Sequence, residues 1–195
     1  MTDNRFSVSM CVYGKDDPKH FENAVDSILN QIVKPSEVVL VVDGPVPYEL
    51  EMVISKYENT DLFKVIRFAE NQGHGNARRA GLEACSYELV ALMDADDISL
   101  PNRFEKQLKL FELDSSLDIV GGNISEFIGD ETNVVSYRNV PQNDVEIKEY
   151  AKYRCPMNQV TVMFKKSSYD KVGGYIDWFW EEDYYLWIRM MLANM

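Results

Sequence analysis

Glu88-Leu89-Val90-Ala91-Leu92-Met93-Asp94-Ala95-Asp96-Asp97 is the stretch on which the fold turns. A short continuous apolar run reads as a strand covered on both faces. Here the run Glu88 to Met93 delivers a cluster of carboxylates to its carboxyl end, and Ser99 and Pro101 then open a helix carrying Phe104, Leu108 and Phe111. Upstream, the loop Glu70 to Gly75 leads into a helix of small residues, Ala77, Ala80, Gly81 and Ala84, and a strand at Phe63 to Phe68 precedes that loop. Before it come a weaker helix, Tyr48 to Asn59, and the β-branched run Glu37 to Asp43, closed by the turn Asp43-Gly44-Pro45 and placed in the middle of a sheet. The same unit begins the chain. In Ser7 to Tyr13, Val8, Met10 and Val12 alternate with Ser7, Ser9 and Cys11, and Asp17-Pro18 starts a helix with Phe21, Ala24, Val25, Ile28, Leu29 and Ile32 on one face.

Four strand–loop–helix units in succession predict an α/β fold, an open and mainly parallel sheet with helices on both faces. The second half is less regular. Strands are expected at Asp118 to Asn123, near Val134 to Arg138 and at Val160 to Phe164, with helices at Asp144 to Tyr153 and Tyr184 to Met195. The last helix reaches Met195 without a cap, a glycine or a polar tail, so the sequence reads as one domain over 1–195 that is truncated at its C-terminus.

Composition narrows the function classes. With 195 residues and 46% apolar content the chain can bury one substantial core. A net charge of −12 without a Lys/Arg run excludes a phosphate-backbone partner, so no nucleic acid is expected. Cys11, Cys85 and Cys155 lack any CxxC spacing, which argues against a zinc site or a disulfide framework and fits a reducing, cytoplasmic setting. No segment is long and apolar enough to span a bilayer.

In open α/β sheets ligands bind beyond the carboxyl ends of the strands, where Tyr13 to Asp17, Asp43 and Asp94 to Asp97 all fall. Such a like-charge cluster calls for a cation, and hard Mg²⁺ or Mn²⁺ takes a few carboxylates together with phosphate oxygens and water. Against that stand plainer readings: a turn and helix cap at Asp94-Ala95-Asp96, an Asp-Gly turn at Asp43, a surface charge or ion pair at Arg78, and an ordinary loop residue at His74, which otherwise contacts phosphate.

Five segments, taken together, resemble the family 2 glycosyltransferases of GT-A fold. They are Ser7 to Tyr13 with Lys15-Asp16-Asp17, then Val41 to Gly44, Asn71 to Arg78, Met93 to Asp97 through Pro101 and Arg103, and Glu182-Asp183-Tyr184-Tyr185-Leu186-Trp187. The likeness runs from Val8 to about Arg189 and is similar to that of bacterial enzymes assembling exopolysaccharide, capsule or O-antigen. It implies an inverting transfer of a hexosyl or N-acetylhexosaminyl group from a nucleoside-diphosphate sugar, a UDP-sugar above all, to a saccharide or lipid-linked saccharide acceptor, with peripheral membrane association. By the resemblance Asp43 contacts the base, Tyr13 and Asp16 line the nucleotide pocket, and Arg78 lies near base or diphosphate. Asp96 holds the metal with Asp94 as second ligand or ribose contact, Asp97 stands behind them or caps the next helix, and Asp183 is the general base. Gln159 lies in a region where relatives carry a His, which puts a third side-chain metal ligand in doubt.

The residues also leave Asp183 as a possible N-cap of the following helix. Trp178, Trp180 and Tyr175 read either as core or as a stacking surface for the acceptor sugar. Two rival functions lack their signatures. A sugar-nucleotide pyrophosphorylase needs a Gly-rich basic loop where Tyr13-Gly14-Lys15-Asp16-Asp17 stands, and an oxidoreductase needs GxGxxG at the first strand–helix turn. A non-catalytic nucleotide-sugar-binding module remains as the alternative.

Overall fold

The computed structural model describes residues 4–176 and 181–195. Six strands form the main sheet in the order β3-β2-β1-β4-β8-β5. They are β1 (Phe6–Tyr13), β2 (Glu37–Asp43), β3 (Phe63–Arg67), β4 (Leu89–Met93), β5 (Ile119–Val120) and β8 (Met163–Lys165). The first four are mutually parallel, β8 runs antiparallel to both β4 and β5, and the sheet is mostly parallel as expected. A separate ribbon pairs β6 (Ile124–Phe127) with β7 (Val134–Arg138).

The helices of the first half are α1 (Pro18–Leu29), α2 (Tyr48–Glu58), α3 (His74–Ala84) and α4 (Arg103–Leu113). β1 to β3 step outward in one direction, and β4 then returns to the far side of β1. Right-handed crossovers therefore put α1 and α2 on one face and α3 on the other. Phe21, Val25 and Ile28 of α1 join Leu50 and Ile54 of α2 and Phe104 and Phe111 of α4 in one apolar layer. Leu82 of α3 joins Tyr169 of α6 (Lys166–Lys171) and Leu186, Trp187 and Met190 of α7 (Glu182–Leu192) in the second.

The alternation in β1 has a different outcome from the usual polar-out strand, because Ser7 and Ser9 are buried as completely as Val8 and Met10. The small residues of α3 explain it. A Cβ at Gly81 would stand 2.8 Å from Ser9 Oγ and 3.2 Å from Val41 Cγ2, so the helix lies directly on β1 and β2.

Several boundaries differ from the sequence reading. α4 begins at Arg103, not at Ser99 or Pro101, and Asn102 occupies its N-cap without a side-chain hydrogen bond, so Asp97 is not its cap. Ser99 is held instead by α1: its N–H donates to Ser27 Oγ (3.0 Å) and its carbonyl accepts from Gln31 Nε2 (3.2 Å). Only Ile119–Val120 of the expected strand at 118–123 pairs in the sheet, β6 and α6 were not expected, and Gln159–Thr161 is a 3-10 turn before β8. α5 (Asp144–Tyr150) is shorter than expected. α7 does have a cap: Asn194 adopts φ 61, and the Met195 N–H returns to Met190 O at 3.1 Å. No helix among the described residues is long and apolar enough to cross a membrane.

Candidate active site

The order reversal between β1 and β4 opens a crevice at the carboxyl ends of the parallel strands. Register sets what lines it. Tyr13 pairs with Asp43 at the ends of β1 and β2, and Met10 pairs with Met93, so Asp94 emerges beside β1.

Asp43 is 4% exposed. Its carboxylate accepts the Gln72 N–H at 2.7 Å (Oδ1) and the Gly73 N–H at 3.1 Å (Oδ2), while Asn71 Nδ2 donates to its carbonyl at 3.2 Å. The 71–73 loop thus wraps the end of β2. Gly44 permits that approach: it sits at φ 88, and a Cβ there would lie 2.6 Å from Asn71 N.

The wrapped loop launches α3, which carries His74 at its first position and Arg78 one turn along. Arg78 is 1% exposed and reaches back across the crevice. Its guanidinium pairs with Asp94, donates from Nη1 to Met93 O (3.2 Å), and donates from Nε to His74 Nε2 (3.0 Å). The ion pair with an acid, one of the plainer readings of Arg78, is present. Arg79 instead forms an exposed pair with Glu83 one turn along.

Asp16 folds back so that Oδ2 accepts the Tyr13 N–H at 2.9 Å, and Tyr13 itself is exposed. Burial raises the Asp16 carboxyl above the usual range, and the Asp96 charge adds to the rise. Asp97 is raised in the same way, by burial first and Asp96 second. Asp16 and Asp97 thus both feel the exposed Asp96. Asp97 faces Arg103, whose guanidinium bonds Leu92 O (2.9 Å) and is pushed down to about 9 by burial.

α7 closes the other side. Glu181 takes its N-cap position without a side-chain bond, so Asp183 lies inside the helix and is not the cap. Asp183 Oδ1 accepts the Tyr184 N–H (2.7 Å), and Cys155 Sγ–H points at Oδ2 (3.9 Å). Burial lifts the Asp183 carboxyl, with the Glu182 and Glu181 charges adding to it, so the opposing pull of the helix start does not prevail. Glu182 contacts His74 across the crevice (Nδ1···Oε1, 2.8 Å). Sequence reasoning did not find that contact, nor Cys155 beside Asp183, since neither spacing nor periodicity encodes a pairing between such distant segments.

Tyr175 is buried, with its ring against Tyr169 at 5.9 Å and its hydroxyl accepting from Gln159 Nε2 (2.9 Å). It is core, not an acceptor platform. Trp178 and Trp180 lie outside the described residues. Cys11, Cys85 and Cys155 are all free thiols.

Among the described residues no three His, Cys, Asp or Glu side chains form a ready metal cage. The donor set nevertheless suits a hard cation that brings most of its own oxygen ligands. Asp96 is exposed and engaged in no hydrogen bond or ion pair among the described residues, and Asp94 spends Oδ1 on Arg78 and keeps Oδ2.

The model of the family described as "Glycosyl transferase family 2" matches residues 7–173. The chain belongs to glycosyl transferase family 2. Family 2 relatives include an uncharacterised glycosyltransferase of Haemophilus influenzae, 40% identical over 98% of this chain and 71% of its own length. The amylovoran biosynthesis glycosyltransferase AmsE of Erwinia amylovora is 36% identical over 95% and 69%. A UDP-Gal:alpha-D-GlcNAc-diphosphoundecaprenol beta-1,3-galactosyltransferase of Escherichia coli is also 36% identical, over 97% and 68%. Among solved structures, S. aureus TarS 1-349 in complex with UDP-GlcNAc superposes with a TM-score of 0.73 at 20% identity, covering 96% of this chain and 53% of that one. The mannosyltransferase PcManGT of Pyrobaculum calidifontis, in complex with GDP-Man and Mn²⁺, gives 0.71 at 15%, covering 97% and 52%. The chain thus spans about half the length of these structures, and the likeness establishes the GT-A fold of this family 2 glycosyltransferase chain.

Proposed function

We propose that this chain carries the donor-binding and catalytic part of an inverting, metal-dependent glycosyltransferase that moves a sugar from a UDP-sugar to a hydroxyl of a lipid-linked saccharide in surface-polysaccharide assembly. The observation that carries this reading is the tie made by α3. Its first two turns and the loop before it bind Asp43 at the end of β2, Asp94 after β4 and Glu182 on α7, so donor-side and acceptor-side acids face one crevice. The galactosyltransferase relative acts, by its name, on a diphosphoundecaprenol-linked sugar, and AmsE serves amylovoran biosynthesis, which supports the acceptor class.

Asp43, already oriented by two amide donors, offers its remaining lone pairs as fixed acceptors to the edge of the base, with Tyr13 and Asp16 beside it. Arg78 is too buried to clamp a diphosphate directly and acts by holding Asp94. Asp96, with Asp94 Oδ2, would hold Mg²⁺ or Mn²⁺, which when bound stabilises charge on the departing diphosphate. Asp183 accepts the proton of the attacking hydroxyl as the new C–O bond forms and the old anomeric C–O bond yields its electrons to the diphosphate. Its raised pKa makes it a stronger base than an exposed carboxylate. The chain's lack of any membrane-spanning helix among the described residues is compatible with a peripheral encounter with such an acceptor.

The test is UDP binding and sugar transfer with and without Mg²⁺ or Mn²⁺. Asp96→Asn weakens metal-dependent UDP binding, whereas Asp183→Asn leaves UDP binding intact and removes transfer. Unchanged transfer in both variants would overturn the roles given to Asp96 and Asp183, whereas UDP binding without transfer in the parent protein would leave a binding module.

A further inference from the structure

His74 joins two parts of the site that are 108 residues apart in sequence. Its Nε2 accepts the Arg78 Nε–H at 3.0 Å, and its Nδ1 lies 2.8 Å from Glu182 Oε1. An imidazole nitrogen that accepts carries no proton, so the neutral ring holds its hydrogen on Nδ1 and donates it to Glu182. Beyond Arg78 the chain of contacts continues to Asp94 and to Met93 O. Beyond Glu182 it reaches the first turn of α7, where Asp183 is the next residue. His74 is itself the first residue of α3, turned into place by Gly73 at φ 89. Half of its side chain is exposed, whereas Glu182 is largely covered. The Glu182 carboxyl is held below its usual range, and the His74 hydrogen bond is the first cause.

We propose that His74 is a positioning residue through which the Arg78–Asp94 pair fixes the Glu182 carboxylate, and with it the turn of α7 that presents Asp183 to the acceptor. This rests on the reading of Asp183 as base. The bridge keeps Glu182 directed at α3, so that of the two adjacent carboxylates only Asp183 is left to face the reacting hydroxyl. It also makes the donor side and the acceptor side move as one body.

The sequence contains two histidines, His20 and His74, so protein labelled with ¹⁵N-histidine reports on His74 directly. The expected signature is a proton on Nδ1 and a bare Nε2 at His74, unlike the exposed His20. A proton on Nε2 overturns the bridge whatever the enzyme's turnover. Kinetics then test its role, with UDP release from UDP-galactose and UDP-N-acetylglucosamine in Mg²⁺ and with UDP affinity by calorimetry. His74→Leu lowers turnover by about tenfold or more, since small misplacements at a reacting centre are costly, and leaves UDP affinity unchanged. His74→Asn sets an amide N–H where Nδ1 stood and restores most of the turnover. A leucine variant as fast as the parent, an asparagine variant as slow as the leucine one, or UDP affinity falling in step with turnover would each refute the proposal. Asp183→Asn in the same assay separates the two ideas: if it retains turnover, the base assignment fails, while the tautomer and the leucine–asparagine contrast still decide the bridge.

Discussion

The stretch Phe6 to Leu113 and the stretch Ile119 to Met195 face each other across the crevice, and they are built by different means. In the first, β1 pairs with β2, β2 with β3 and β4 with β1, and the helices cover the faces so formed. In the second, structure depends on distant partners. β8 is a three-residue strand that exists by pairing with β4, at Leu89↔Lys165, and with β5. The residues of β7 are all exposed and pair with β6, and Arg138 at its end also donates to Cys155 O and accepts from Asn158 Nδ2. The first stretch is thus a self-contained frame, and the second is a set of short pieces hung on it. Loops vary more freely than a packed frame, so the second stretch is the one with more freedom to change.

Perturbations on the two sides should therefore differ in kind. The largest effect falls in the second stretch: with Asp183 as the proposed base, Asp183→Asn is expected to reduce transfer by about 10²–10⁴-fold. Its melting temperature should not fall. Because burial raises the folded-state pKa of Asp183, its stabilising contribution is complete only below the unfolded value and disappears as pH rises through the folded one. At neutral pH the ionised group opposes folding, so Asp183→Asn holds or raises the melting point there, and the gain shrinks in acid. A scan of melting against pH checks the sign.

In the frame, Arg78→Met is expected to destabilise by about 3 kcal/mol, because it leaves Asp94 and the Met93 carbonyl without their cation. Urea unfolding measures it. Gly44→Ala follows at about 2 kcal/mol, from the positive φ and the backbone contact with Asn71, and it also weakens UDP binding by displacing the 71–73 loop. Tyr137→Thr on the exposed ribbon should change stability by less than about 0.5 kcal/mol. A large loss of stability there would mean that the ribbon is part of the frame after all.

Legibility in sequence followed the same division. The β1 to β4 units could be read because their periodicities are local: the β-branched run of β2 is one residue-for-residue match with the observed strand, and Asp17-Pro18 caps α1 as expected. The acids at strand ends were visible because open parallel sheets present their ligands there. What escaped was set by contacts at long range. Ser99 and Pro101 look like a helix start, yet the helix begins only at Arg103, and Ser27 and Gln31 hold Ser99 before it. Tyr175 looks like an available aromatic, and its burial is decided by α6 and by Gln159. Arg78 looks like a surface cation one turn into a helix, and only the closeness of α3 to the sheet carries it inward. His74 reads in sequence as a loop residue or a phosphate contact, and its bridge lies outside any periodicity, since its partners are a helix turn away on one side and in another element on the other.

Gln31 shows how the acidic turn is held from behind. From the end of α1, its side-chain amide nitrogen donates to the carbonyls of Ser27, Ser99 and Leu100, and its oxygen accepts the Phe104 N–H at 3.3 Å. One buried carboxamide thus fastens both the exit of the loop after Asp97 and the beginning of α4. Loops that carry ligand contacts usually open locally long before a protein melts. Here the Phe104 amide should exchange its hydrogen for deuterium as slowly as those of β1 and β4, and Gln31→Ala should release it to local opening while the central strands stay protected.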